Sequence, residues 1–225
     1  AYDPEFVTSL EFGSKNSFYG GRLILNGAAF YYDHKDLQVP IVITIDEQTN
    51  ATALLVEHAD AESIGAELDV LYQFTDAFSL NGALSYLDAV YRSYVSPDPT
   101  LPGSAPVDFD GRRRIFSPPF TATLGGQYVF DMADSGAITA RADLSYSDQV
   151  VLRQWQREPF DIQESFVTVN ANMRWDDADR RYSIELFARN ITDEDIKGYT
   201  GAVGEEFVST YRAPRTYGVR VGFAF

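Results

Sequence analysis

The sequence predicts an all-β fold, a stretch of an antiparallel, up-and-down transmembrane β-barrel. Three observations point there: apolar and polar residues alternate with period two, connections alternate between short and long, and aromatic residues gather near strand ends.

The alternation comes first. Ile64, Ala66, Leu68, Val70, Tyr72 and Phe74 are separated by Gly65, Glu67, Asp69, Leu71 and Gln73. Ile138, Ala140, Ala142, Leu144 and Tyr146 repeat the pattern against Thr139, Arg141, Asp143 and Ser145. Tyr217, Val219, Val221, Phe223 and Phe225 repeat it again. Side chains of a strand point to opposite faces in turn, so each stretch has one apolar face and one polar or small face. Nine strands follow, at 5–15, 21–33, 61–75, 78–92, 116–131, 136–149, 165–176, 181–191 and 213–225. No segment carries a helical period.

The connections come second. Those at 15–20, 75–77, 131–135 and 176–180 are short, and those at 35–60, 93–115, 150–164 and 192–212 are long. Antiparallel strands place alternate connections at opposite ends of a sheet. One end therefore has tight turns and the other long loops, as in outer-membrane barrels, whose short turns are periplasmic. In that frame the last strand ends on the periplasmic side.

The aromatic residues come third. Tyr72, Phe74, Phe78, Tyr128, Phe130, Trp175, Tyr182, Phe223 and Phe225 lie beside short turns. Tyr31, Tyr86, Phe116, Phe120, Tyr146 and Tyr217 lie nearer the long loops. Two belts of amphipathic rings suit the two membrane interfaces.

Composition removes other classes. The formal charge is −15, with 18 Lys and Arg against 33 Asp and Glu. Nucleic-acid binding needs clustered cations, and Arg112, Arg113 and Arg114 form the only basic run, so no nucleic-acid partner is expected. Without cysteine there is no disulfide framework and no thiolate metal site. No apolar run reaches the ~18 residues of a membrane helix. No nucleophile motif, phosphate loop or dinucleotide fingerprint is present, so no enzyme activity and no cofactor are expected. His34 and His58 flank one long connection without metal-ligand spacing, so no metal site is expected.

Four stretches carry a family resemblance. The first runs from Pro4-Glu5 through Leu10-Glu11-Phe12-Gly13-Ser14-Lys15 to Gly21-Arg22-Leu23 and Ala28-Ala29-Phe30-Tyr31-Tyr32. The second is Glu62-Ser63-Ile64-Gly65-Ala66-Glu67-Leu68, and the third Ala188-Arg189-Asn190-Ile191-Thr192-Asp193. The fourth is Tyr211-Arg212-Ala213-Pro214-Arg215-Thr216-Tyr217-Gly218, running on to Phe225. In order and spacing they resemble the C-terminal barrel of TonB-dependent outer-membrane receptors.

The resemblance implies that residues 1–225 are a fragment, about the last nine strands of a barrel of roughly 22 strands. An odd strand number agrees, because closed single-chain bacterial barrels have even numbers. It implies a Gram-negative outer-membrane receptor that takes up a scarce nutrient, such as a ferric siderophore, driven through the TonB complex. The family's plug domain and TonB box precede the barrel and are absent here. The implied partners are outer-membrane lipid, the receptor's own plug, the TonB complex, the barrel-assembly machinery and a small-molecule ligand.

Three groups of residues are candidates for these roles. Glu67, Asp69, Arg141, Asp143, Glu185, Arg189 and Arg220 stand on polar faces and would line the lumen or hold the plug. Arg153, Trp155 and Arg157 combine cations with an aromatic ring in one long loop, which suits an anionic or carbohydrate ligand. Phe223 and Phe225 would form part of the terminal signal read by the assembly machinery. Two rivals share parts of the pattern. A passive porin-like channel would be excluded by a plug upstream. A soluble β-sandwich binding module also alternates, but does not require loops that alternate in length.

Overall fold

The computed structural model describes residues 4–46, 51–98, 101, 103–203 and 206–224. Its strands are β1 (Phe6–Phe18), β2 (Leu23–Asp46), β3 (Ala51–Gln73), β4 (Phe78–Ser93), β5 (Val95–Ser96), β6 (Val107–Asp108), β7 (Phe120–Asp131) and β8 (Ala137–Ser147). They continue with β9 (Val150–Val151), β10 (Ile162–Gln163), β11 (Phe166–Asp176), β12 (Tyr182–Arg189), β13 (Lys197–Val203), β14 (Glu206–Tyr211) and β15 (Thr216–Phe223). Nine of them form one sheet in the order β1-β2-β3-β4-β7-β8-β11-β12-β15. Every neighbouring pair is antiparallel, as an up-and-down barrel wall requires. The sheet is not closed: β1 and β15 are its two edges.

The nine strands expected from the alternation are these nine. Their limits differ in places. The connection expected at 35–60 is mostly ladder, because β2 and β3 stay paired from Leu23↔Tyr72 up to Asp46↔Ala51. The chain crosses from wall to hairpin through an irregularity between His34 and Leu37, where Asp36 has φ 55°. Pro40 takes part without disturbing the ladder, paired opposite Val56. The last strand begins at Thr216 rather than 213. Phe225 lies outside the described residues.

The other long connections carry small ladders of their own: β5 with β6, β9 with β10, and β13 with β14. The short turns are fastened by side chains that accept from the backbone. Thr75 Oγ1 accepts from the amides of Ala77 (3.2 Å) and Phe78 (3.0 Å). Asp131 Oδ1 accepts from Ala133 N at 2.9 Å, and Asp177 Oδ1 from Tyr182 N at 2.7 Å. Such local acceptors are why Asp, Asn, Ser and Thr dominate tight turns.

Register sorts the side chains by face. Phe12, Ala29, Ala66, Tyr86 and Phe120 are successive cross-strand partners. Leu124, Leu144 and Val169 form a second row, and Met173, Leu186 and Val219 a third. Phe12, Leu124, Leu144, Met173, Leu186 and Val219 are all exposed. A continuous apolar band of this extent is foreign to a soluble surface and fits lipid. Below it, toward the short turns, the rings of Tyr72, Phe74, Phe78, Tyr128 and Phe130 follow one another at 4.0–6.3 Å. Above it, Phe120 meets Tyr146 at 6.1 Å.

A single-layer sheet has no interior of its own. The buried apolar cluster among the described residues lies instead at the long-loop end: Ala59, Ala61, Tyr91, Tyr94 and Phe109, with Leu37, Val39, Val107 and Trp155 packed against it.

Candidate functional site

Two groups of residues stand out, one on the polar face of the wall and one in the loop cluster. The polar face is assembled by register. Glu67 lies opposite Ser85 and Asp69 opposite Ala83. Asn81, Gly125, Asp143 and Asn170 are successive partners, as are Gln127, Arg141 and Asn172. Thr139, Arg174, Glu185 and Arg220 form the next row on the same face, and Arg189 lies opposite Thr216. All seven charged residues expected to share one face therefore do so.

Some of them form a network. Arg141 donates from Nε to Asp143 Oδ2 at 2.9 Å and from Nη2 to Asn81 Oδ1 at 3.0 Å. This bridge passes over Gly125. A Cβ there would lie 2.5 Å from Arg141 Nη2 and 2.6 Å from both Asn81 Oδ1 and Asp143 Oδ1, so a larger residue would push the ends of these three side chains out of the bridge. Glu185 accepts from Asn172 Nδ2 at 3.2 Å and from Arg220. The guanidinium groups of Arg189 and Arg220 stand 5.3 Å and 5.6 Å from the Phe187 ring. Glu67 and Asp69 are exposed and have neither a hydrogen bond nor an ion pair among the described residues. Such a wall offers fixed cations along β8, β12 and β15 and open carboxylates on β3 to whatever fills the space it faces.

The residues of the basic-aromatic loop lie inside the loop cluster. Arg153 Nη1 donates to Asp161 Oδ1 at 3.1 Å, and Asp161 is fully buried. The Arg153 guanidinium also covers Trp155 (4.8 Å) and Phe207 (5.5 Å). Arg157 pairs with Asp98, and its amide donates to Asp161 Oδ2 at 3.0 Å. Trp155 meets Phe109 edge-on at 6.2 Å. All three expected ligand residues are thus engaged in joining loops. Their partners Tyr94, Asp98, Phe109 and Asp161 were not singled out by sequence. The one available signal was an unusual density of rings, Tyr91 at the end of β4 and Tyr94 and Phe109 in the proline-rich connection that follows it.

His34 and His58 do not form a pair. His34 is opposite Ala61 and His58 opposite Gln38, which puts them on different faces of the hairpin. No group of three metal-ligating side chains occurs among the described residues. Phe223 ends β15 in the apolar belt, edge-on to Tyr182 at 5.9 Å.

A family model described as TonB dependent receptor-like, beta-barrel, matches residues 1–191. The chain belongs to the TonB-dependent receptor family. Solved structures share its fold. The ferric yersiniabactin uptake receptor FyuA from Yersinia pestis has a TM-score of 0.77 at 19% identity, over 98% of this chain and 30% of that one. The siderophore receptor PiuA from Acinetobacter baumannii has 0.74 at 21%, over 99% of this chain and 29% of that one. The copper transporter OprC has 0.68 at 18%, over 100% of this chain and 32% of that one. No curated protein matches the sequence. The chain thus spans about a third or less of these receptors' lengths. Barrels of the TonB-dependent receptor family sit in the outer membrane, with the apolar face toward lipid and the polar face toward the interior.

Proposed function

We propose that this TonB-dependent receptor segment is the C-terminal part of an outer-membrane receptor for energised uptake of a scarce nutrient, a ferric siderophore or a similar metal complex. The observation that carries the reading is the family match over a wall whose inner face is charged and partly unpaired. A wall of an open channel meets only water. Glu67, Asp69 and Arg189 are placed to pair instead with a plug domain filling the barrel. The uptake receptors for ferric yersiniabactin and other siderophores among the structural neighbours support the iron assignment. The copper transporter keeps other metals in view.

In this reading the four long-loop elements are extracellular and β15 ends at the periplasm. Phe223, in the belt at that end, belongs to the signal recognised by the assembly machinery, together with Phe225. Arg153, Trp155 and Arg157 act first as loop scaffold and only secondarily at a ligand. The decisive test uses the full-length receptor in whole cells starved of iron. Uptake of labelled ferric siderophores should require this receptor and stop when a protonophore collapses the proton-motive force. Uptake that survives the protonophore, with steady ion conductance of the purified protein in planar bilayers, would establish the passive channel instead.

A further inference from the structure

In the described sheet β15 is held by β12 alone, over the eight residues Thr216–Phe223. Parity decides which face is which, because a slip of one residue would turn Tyr217, Val219, Val221 and Phe223 away from lipid. A slip of two residues keeps parity. On the lipid face it would only exchange one apolar partner for another: Leu186, opposite Val219, would meet Tyr217 or Val221. Hydrocarbon is indifferent to that exchange.

The inner face is not indifferent. Along β15 it carries Thr216, Gly218, Arg220 and Gly222, opposite Arg189, Phe187, Glu185 and Ser183 of β12. The Phe187 ring lies over Gly218: a Cβ there would fall among the ring atoms, 2.6 Å from Cε1 and 3.0 Å from Cε2. The φ of Gly218 is not positive, so its backbone would admit other residues, and what the glycine provides is room. The guanidinium groups of Arg189 and Arg220 flank the same ring. Ser183 covers Gly222 in a similar way, its Oγ 2.5 Å from where a Cβ would stand. Between these two joints Glu185, buried and tied to β11 through Asn172, takes Arg220.

Displacement by two residues undoes this in either direction. One way, Phe187 meets Arg220 and Glu185 meets Gly222; the other way, Phe187 meets Thr216 and Glu185 meets Gly218. The ring is then set against a side chain, and a buried carboxylate loses its cation. A displacement of four offers the ring Gly222 but puts Arg189 opposite Arg220, like charge against like.

We propose that Phe187, seated over Gly218 and backed by the Glu185–Arg220 pair, is the register lock of β15. Lipid sets which side of the strand looks inward, and this inner-face pattern sets which residue stands opposite which. Because β15 is an edge of the described sheet, an error of two residues there would be carried into whatever strand pairs with it next. The inference needs the barrel wall but not the transport reading.

Residues 1–225 contain no cysteine, so introduced pairs report contacts between the two strands. In the full-length receptor, Leu186→Cys is combined with Val219→Cys, its present partner, or with Val221→Cys, its partner after a slip of two. Native outer membranes are then oxidised with a membrane-permeant reagent. The first pair should cross-link and the second hardly at all, since Cα atoms more than ~7 Å apart are not bridged. Phe187→Ala should raise the ratio of the second link to the first about fivefold or more. Tyr182→Ala, which removes a ring of the same strand from the lipid face, should leave the ratio unchanged. Gly218→Ala should lower the amount of assembled, heat-modifiable receptor, and adding Phe187→Ala should restore it, because no ring is then displaced. A ratio indifferent to Phe187→Ala, or raised as much by Tyr182→Ala, would overturn the lock. So would a Gly218→Ala receptor that assembles normally, or one whose defect Phe187→Ala leaves in place.

Discussion

Leu144 and Ser145 are chain neighbours on opposite faces of β8. Leu144 is exposed in the apolar band between Leu124 and Val169, and Ser145 faces inward between Thr123 and Thr168. Leu144→Arg should cost the full-length receptor about 2–4 kcal/mol of folding stability in lipid vesicles, and Ser145→Arg little. Equilibrium unfolding in denaturant measures both, and equal costs would reverse the assignment of faces. This much was legible from alternation alone, because the face of a strand residue depends only on parity. The partner of a loop cation was not. Asp98 and Arg157 are 59 residues apart, and nothing local in either segment names the other. Parity along the strands thus put the charged wall residues on a shared face, whereas the contacts of Arg153, Trp155 and Arg157 with other loops were not readable from their own segment. The same limit applies to Gly125, whose place beneath the bridge becomes visible only when Asn81, Arg141 and Asp143 converge on it.

At the scale of the element, all nine wall strands and all four short turns were legible, and the β2–β3 hairpin above the wall was not. Pro40 and the charged run Asp33-His34-Lys35-Asp36 look like a loop, since proline is unusual inside strands and belongs on edges or at bulges. The ladder survives because its register shifts at only two steps, between His34 and Leu37 and again between Thr44 and Asp46, and Pro40 falls in the regular stretch between them. His34 at that step is held below its ordinary value of 6.5 by burial, with Arg114 acting in the same direction and Glu5 and Asp33 opposing. A depressed histidine binds its proton less well in the folded state. Its neutral ring therefore supports the fold fully above the unfolded value, and that support fades as pH falls below about 6.5. Amide exchange around Leu37 and Ala59, corrected for its intrinsic pH dependence, should quicken relative to the wall between about pH 7.5 and 5. His34→Gln should abolish the difference. A pH-independent ratio in the unaltered protein would mean that His34 does not hold the step.

For the molecule as a whole, the sheet leaves the outward-facing backbone groups of β1 and β15 unpaired at its edges. In a bilayer such groups cost several kcal/mol each, which is why spanning sheets close. The 225-residue chain refolded alone into lipid vesicles should therefore associate through its edges instead of forming a monodisperse barrel. Cross-linking and the heat-shift of its electrophoretic band would report this, and a discrete heat-modifiable monomer would contradict it. The architecture was legible because three independent signals agreed: parity within strands, length between them and rings at their ends. The inward fold of the long loops escaped, since it depends on contacts between distant segments and repeats no pattern along the chain.

The β2–β3 hairpin has a consequence for how this receptor can vary. A span needs about 9–11 residues per strand, whereas β2 has 24 and β3 has 23, so each continues for roughly 40 Å along its own direction past the bilayer. Above the bulge the two strands pair with each other in unbroken register from Leu37↔Ala59 to Thr44↔Thr52. Adding or removing two residues from each strand together preserves facing and pairing alike, and changes only height. The tip is thus a telescoping mast, free to change its reach without any adjustment in the wall that carries it.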